Sequence, residues 1–136
     1  FAVRLLAMLH LGFLWLGVGW LLSGVQGLLH TAGIAALGLA PLHALAVGYF
    51  ATMTVAMVSR VTLGHSGRPL VADTLTWSLA LGLHAVAFVR LLADLLPADQ
   101  AFMLALAGVG WLAVFTPLAM RVVPIYLSRR ADGKPG

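Results

Sequence analysis

Charged side chains stand almost entirely at the ends of four long apolar runs, and this spacing constrains the fold more than any other feature. The runs cover residues 5–23, 42–59, 75–92 and 101–127. At about 1.5 Å per residue each is roughly long enough to cross a hydrocarbon core of ~30 Å. None alternates polar with apolar residues, so barrel strands are excluded. A water-soluble domain would carry about a quarter charged residues. This chain is 62% hydrophobic and 9% charged, which excludes a soluble reading. The expected fold is an all-α integral membrane protein, a single four-helix transmembrane domain over residues 1–136.

The connections carry turn chemistry. Residues 24–41 read as a long uncharged linker with room for a short interfacial helix. Gly64-His65-Ser66-Gly67-Arg68-Pro69 reads as a compact loop. Pro97 should stop the third helix, and Asp99 is a fair N-cap for the fourth. Pro117 should kink the fourth helix and release the carbonyl of Ala113. The first apolar stretch is too long for a signal peptide, and no small-residue cleavage pattern follows it.

Charge placement predicts orientation. Arg4, Arg60, Arg68, Arg121, Arg129, Arg130 and Lys134 fall on one side of a four-span topology, and only Arg90 falls on the other, beside Asp94 and Asp99. By the positive-inside rule, both termini and the Gly64–Pro69 loop should be cytoplasmic. The net charge of +4 belongs to these segment ends, so nucleic acid is not an expected partner, whereas membrane lipid is. Ala44, Gly48, Thr52 and Ala56 recur every fourth residue, as do Ser78 and Gly82. Such small residues let helices approach closely in lipid.

There is no cysteine, so any metal or cofactor must be held by other side chains. Five histidines stand at positions 10, 30, 43, 65 and 84. His10, His43 and His84 lie within or at the rims of apolar runs, where an ionisable group must face a partner or a cavity. Imidazole is the commonest metal ligand and a usual axial ligand of haem. Gly17 and Gly24 follow His10 at steps of seven, a groove that a flat macrocycle could use. Equally, each of the three histidines could bond a neighbouring helix. His84 shares its face with Trp77, Leu81 and Phe88. His30 reads as solvated in the outer loop, and Met53 and Met57 as core filler rather than ligands. Arg60 and Arg68 flank a glycine-rich loop that suits an anion, a haem propionate or a lipid phosphate. Asp73 could pair with either arginine and neutralise that loop, and a plain cytoplasmic turn is the alternative. No phosphate loop, metalloprotease motif or nucleophile–base arrangement is present, so hydrolytic and phosphoryl-transfer chemistry has no support.

Leu42-His43-Ala44-Leu45-Ala46-Val47-Gly48, with Met53 through Leu70 (MTVAMVSRVTLGHSGRPL), resembles the signature of the NnrS family. Leu9-His10-Leu11-Gly12-Phe13-Leu14-Trp15-Leu16 resembles the segment preceding it, and Arg130–Gly136 that family's C-terminus. The resemblance implies a polytopic protein of the bacterial inner (cytoplasmic) membrane that contains haem, expected here as haem b, and copper. It also implies a link to nitric oxide and nitrosative stress. It covers only the C-terminal part of the much longer family members, whose N-terminal part carries a further histidine-rich motif. The chain opens on Phe1, and a short member or a C-terminal fragment of a longer protein is expected. By resemblance, His10, His43, His65, Arg60 and Arg68 are motif positions. His84 lies outside them, and its candidacy rests on the helix argument alone.

The leading expectation is a membrane protein of nitric-oxide or respiratory redox physiology that binds haem and can hold copper as well. His10 and His43 would be ligands with His84 behind them, and Arg60, His65 and Arg68 would position propionates or another anion. A second expectation is a non-catalytic accessory subunit of a larger respiratory complex, packed against other membrane subunits or against the N-terminal part of a longer member. A third is a fragment of a small-molecule or metal transporter, suggested by the intramembrane histidines and Pro117.

Overall fold

The computed structural model describes residues 3–133, and within them the chain is all-helical. Four helices are long and apolar enough to cross a membrane: α1 (Arg4–Thr31), α2 (Ala40–His65), α3 (Thr74–Leu95) and α4 (Gln100–Tyr126). Hydrogen bonds between their ends fix the order. Arg4 at the start of α1 donates to the carbonyl of Ala72 (3.4 Å) and to Thr74 Oγ1 (3.2 Å) at the start of α3. Thr62 near the end of α2 donates to the Tyr126 hydroxyl at the end of α4, at 3.0 Å. At the opposite end, His43 meets Asp94. The helices therefore alternate up and down, and both ends of the described chain lie together. Arg4, Arg68, Arg121 and Arg130 share that end, as the charge pattern predicts, while Lys134 lies outside the described residues.

The first helix is longer than the sequence suggests. Residues 24–31, expected in a linker, are helical, and no interfacial helix exists in the short connection 32–39. A backbone in lipid has no water to bond, so the helical ladder continues through Gly24 and Gly27. It stops at Gly33, whose φ of +76° suits a residue without a Cβ. There the amide of Gly33 donates to His30 and that of Ile34 to Leu29, closing the last turn. Helix α2 ends the same way at Gly67 (φ +69°), whose amide donates to Gly64 while that of Arg68 donates to Leu63. Gln26 ties the 32–39 connection down by donating to the carbonyls of Ala36 (3.2 Å) and Gly38 (2.8 Å).

Small residues set the helix spacing. Ala44, Gly48, Thr52 and Ala56 are buried, as their period predicts. A Cβ on Gly48 would stand 2.5 Å from the Trp15 ring, and one on Gly19 would overlap the Leu45 side chain, so α1 and α2 touch backbone to side chain. Gly82 meets Val114 of α4, but Ser78 is exposed. Within α2, residues Ala44–Ala51 wind as a π-helix. Thr52 Oγ1 there bonds back to the carbonyls of Gly48 and Tyr49. Helix α4 runs through both Pro117 and Pro124. The third helix ends at Leu95, before Pro97, and Leu96 leaves the helical region with φ −119° and ψ 76°. Asp99 stands at the N-cap of α4 but its side chain makes no capping bond; Asp73 does cap α3.

Candidate functional site

The three histidines of the apolar runs occupy three different settings. His10 is exposed on α1, and its Nδ1 lies 2.8 Å from the carbonyl of Leu6. A carbonyl only accepts, so Nδ1 carries the proton and the Nε2 lone pair is free. Gly12 and Gly19 of the same helix pack on α2. His10 stands nine residues before Gly19, about 180° around the helix, and therefore faces away from α2. Among the described residues nothing lies within 4 Å of a Cβ built on Gly17 or Gly24, so the expected glycine groove below His10 is open there.

His43 is half-buried at the start of α2, its Nδ1 2.7 Å from Asp94 Oδ2. A carboxylate also only accepts, so His43 Nδ1 carries a proton and, in the neutral ring, Nε2 is the nitrogen that could ligate. Asp94 Oδ1 takes a second bond from Arg90 Nη1 at 3.0 Å. The carboxylate is 5% exposed and satisfied on both oxygens. A histidine oriented by a carboxylate is the arrangement that metal-ligating imidazoles commonly use.

His84 is the reverse case. Trp15 Nε1, which can only donate, bonds its Nδ1 at 3.0 Å. The proton of neutral His84 must then sit on Nε2, the nitrogen that would otherwise ligate. The ring lines an apolar groove of about 380 Å³ between α1 and α3, with Leu14, Trp15, Val18 and Phe88. Phe88 shares the site as predicted. Trp15 contributes the second aromatic wall, whereas Trp77 packs on the bundle core.

The loop residues also separate. Arg60 and His65 are exposed, whereas Arg68 turns inward. Asp73 pairs with Arg121 rather than with Arg60 or Arg68. Its carboxyl is held below the ordinary carboxylate range, first by the Thr76 amide at 3.0 Å and then by Arg121. The tail folds back on the loop, where the amide of Ala131 donates to the Ser66 carbonyl at 2.9 Å. His30 ends α1 rather than sitting in a loop. Met53 packs against Gly12, but Met57 is exposed and fills no core. Among the described residues, no three His, Cys, Asp or Glu side chains gather as a metal site.

The family model described as "NnrS protein" matches residues 1–130, nearly the whole chain. This chain belongs to the NnrS family. The match takes in every histidine and both motif arginines of the NnrS signature. No curated protein and no solved structure matches the chain.

Sequence reasoning overlooked Trp15 and the Asp94–His43 bond. Asp94 carried a usable signal, because both residues lie at the sparsely charged membrane end. Trp15 carried none, since its partner is 69 residues away.

Proposed function

We propose that this NnrS protein binds haem in the bacterial inner membrane, with termini in the cytoplasm, and serves nitric-oxide or respiratory redox physiology. The observation that supports this reading is the free Nε2 of His10, fixed by the Leu6 carbonyl above the open Gly17–Gly24 face. An axial imidazole needs that tautomer, and a flat ring needs that clearance. His43, with Nδ1 held by Asp94, is the second candidate ligand. It stands on the helix that His10 faces away from, so the two would serve different ligands or different faces. His84 is assigned a structural role, because Trp15 holds its proton on Nε2. Haem, when bound, supplies one-electron exchange and a site for diatomic ligands. Copper, if held, would have to use fewer than three His, Cys, Asp or Glu side chains of the described residues, or donors from outside them. Arg60 and His65, exposed at the arginine-rich end, are the residues left to meet a propionate.

The test is a reduced-minus-oxidised spectrum with metal analysis on the purified chain and on His10→Ala, His43→Ala and His84→Ala. We expect haem to fall sharply in His10→Ala and to persist in His84→Ala. Full occupancy in both His10→Ala and His43→Ala overturns the reading.

A second reading is an accessory subunit that packs on a larger membrane protein. The uncovered glycine face of α1, flanked by exposed Phe13, Trp20 and Leu21, favours it. Co-purification with a larger haem protein, and a colourless isolated chain, would support it over the first.

A further inference from the structure

Between the end of α2, the start of α3 and the end of α4 lies a cavity of about 230 Å³. Ser59, Arg68 and Arg121 line it, together with apolar Leu118 and Val122. Ser59 is 5% exposed, and its hydroxyl is buried without a hydrogen-bond partner among the described residues. A helical serine ordinarily bonds a carbonyl of the preceding turn. Nη1 of Arg68 is likewise buried, with no partner among the described residues. The charges do not balance. Asp73 pairs with Arg121, and Asp132, which lies against Gly67, pairs with Arg130, so Arg68 leaves the cavity one positive charge in excess among the described residues. A guanidinium cannot shed its proton, and a buried donor left unpaired is costly. Burial of two unpartnered donors in one cavity is explained if an acceptor from outside the chain completes them.

The geometry points to a phosphate-class oxyanion bound in this cavity by Arg68 and Ser59, with Arg121 at its edge. A tetrahedral anion offers oxygens in several directions, which suits donors arriving from α2, from the loop after it and from α4 better than the two coplanar oxygens of a carboxylate. The site lies near the arginine-rich helix ends, the part of a membrane-crossing helix that comes nearest the lipid headgroups. Ser59 is six residues from the end of α2, about 9 Å along the axis. Leu118 and Val122 give the remaining wall an apolar surface that an acyl chain could follow. The ligand is thus either the phosphate of an anionic phospholipid or free phosphate. The site is independent of the haem reading, because none of the candidate histidines lines it.

The test follows the unfolding midpoint of the purified chain by tryptophan fluorescence in neutral detergent. Phosphatidylglycerol, phosphatidylcholine or inorganic phosphate is titrated in. We expect stabilisation by phosphatidylglycerol over phosphatidylcholine if the source is lipid, and by inorganic phosphate if it is the free anion. Arg68→Gln should weaken either response by about tenfold or more, the loss of one charge-assisted hydrogen bond. Arg129→Gln, an exposed arginine at the same end, should leave it unchanged. Without added anion, Arg68→Gln should be at least as stable as the parent, since it removes an unpaired charge. If that variant does not fold, Ser59→Ala decides, with a loss of about threefold or more expected. No response to either anion, or an equal response in Arg68→Gln or Ser59→Ala, overturns the site. Haem content is read on the same samples, so failure of one proposal is distinguishable from failure of the other.

Discussion

The indole nitrogen of Trp15 lies 3.0 Å from Nδ1 of His84, while the same ring covers the bare backbone of Gly48. One side chain of α1 thereby fixes the spacing to α2 and the tautomer of a histidine on α3. Two separate effects are bound up in it. The ring contributes dispersion and shape, and the N–H decides which histidine nitrogen can act.

These effects can be separated by substitution. Trp15→Phe keeps most of the ring and removes the donor, and should destabilise the protein by about 0.6–1 kcal/mol. Trp15→Ala also empties the contact with Gly48 and should cost about 3 kcal/mol or more. A double-mutant cycle between Trp15→Phe and His84→Leu, read from unfolding in detergent, should show coupling. Strict additivity would mean the bond carries no stability.

The Asp94 carboxylate sits between His43 and Arg90, and its two neighbours are not equally dependent on it. Removing the shared group leaves both without a partner, whereas removing His43 leaves the Arg90 pair intact. Asp94→Ala should therefore cost about 2 kcal/mol, and His43→Ala clearly less. Unfolding curves of the two variants provide the check, and the reverse order would show that the histidine, not the carboxylate, organises this end.

Asp73 gives the protein an acid-sensitive helix start. Its folded pKa is depressed by the Thr76 amide and by Arg121, so its contribution is fully present above the unfolded value near ~4 and is lost as pH falls through the lower folded value. At neutral pH, Asp73→Ala should cost about 1 kcal/mol, the usual worth of an N-cap. The Arg121 pair adds little, because both side chains are two-fifths exposed or more. Stability measured from pH 6 down to about 3 should fall in the parent and flatten in Asp73→Asn. A parallel fall in both would assign the acid sensitivity to another carboxylate.

The four spans were legible because lipid permits so few backbone solutions, and a sustained apolar run already dictates a helix. Their ends were less so. Gly24 and Gly27 look like linker residues under rules drawn from water, yet the membrane keeps them helical. The small-residue stripe from Ala44 to Ala56 announced its contact correctly, but nothing in those residues signals that half of it winds as a π-helix. Among the candidate ligands, position along the chain showed which histidines enter the membrane. It could not show which ring nitrogen each would leave free. That depends on Leu6 for His10, a neighbour one turn away, and on Asp94 and Trp15 for the other two, which only folding brings near.

The pairing of Arg4 with Thr74 and of Thr62 with Tyr126 makes the number of crossings even. An even count conserves sidedness: whatever chain is joined before α1 or after α4 emerges on the same face of the bilayer. Such a unit can be appended to a membrane protein, or removed from one, without inverting any segment beyond it.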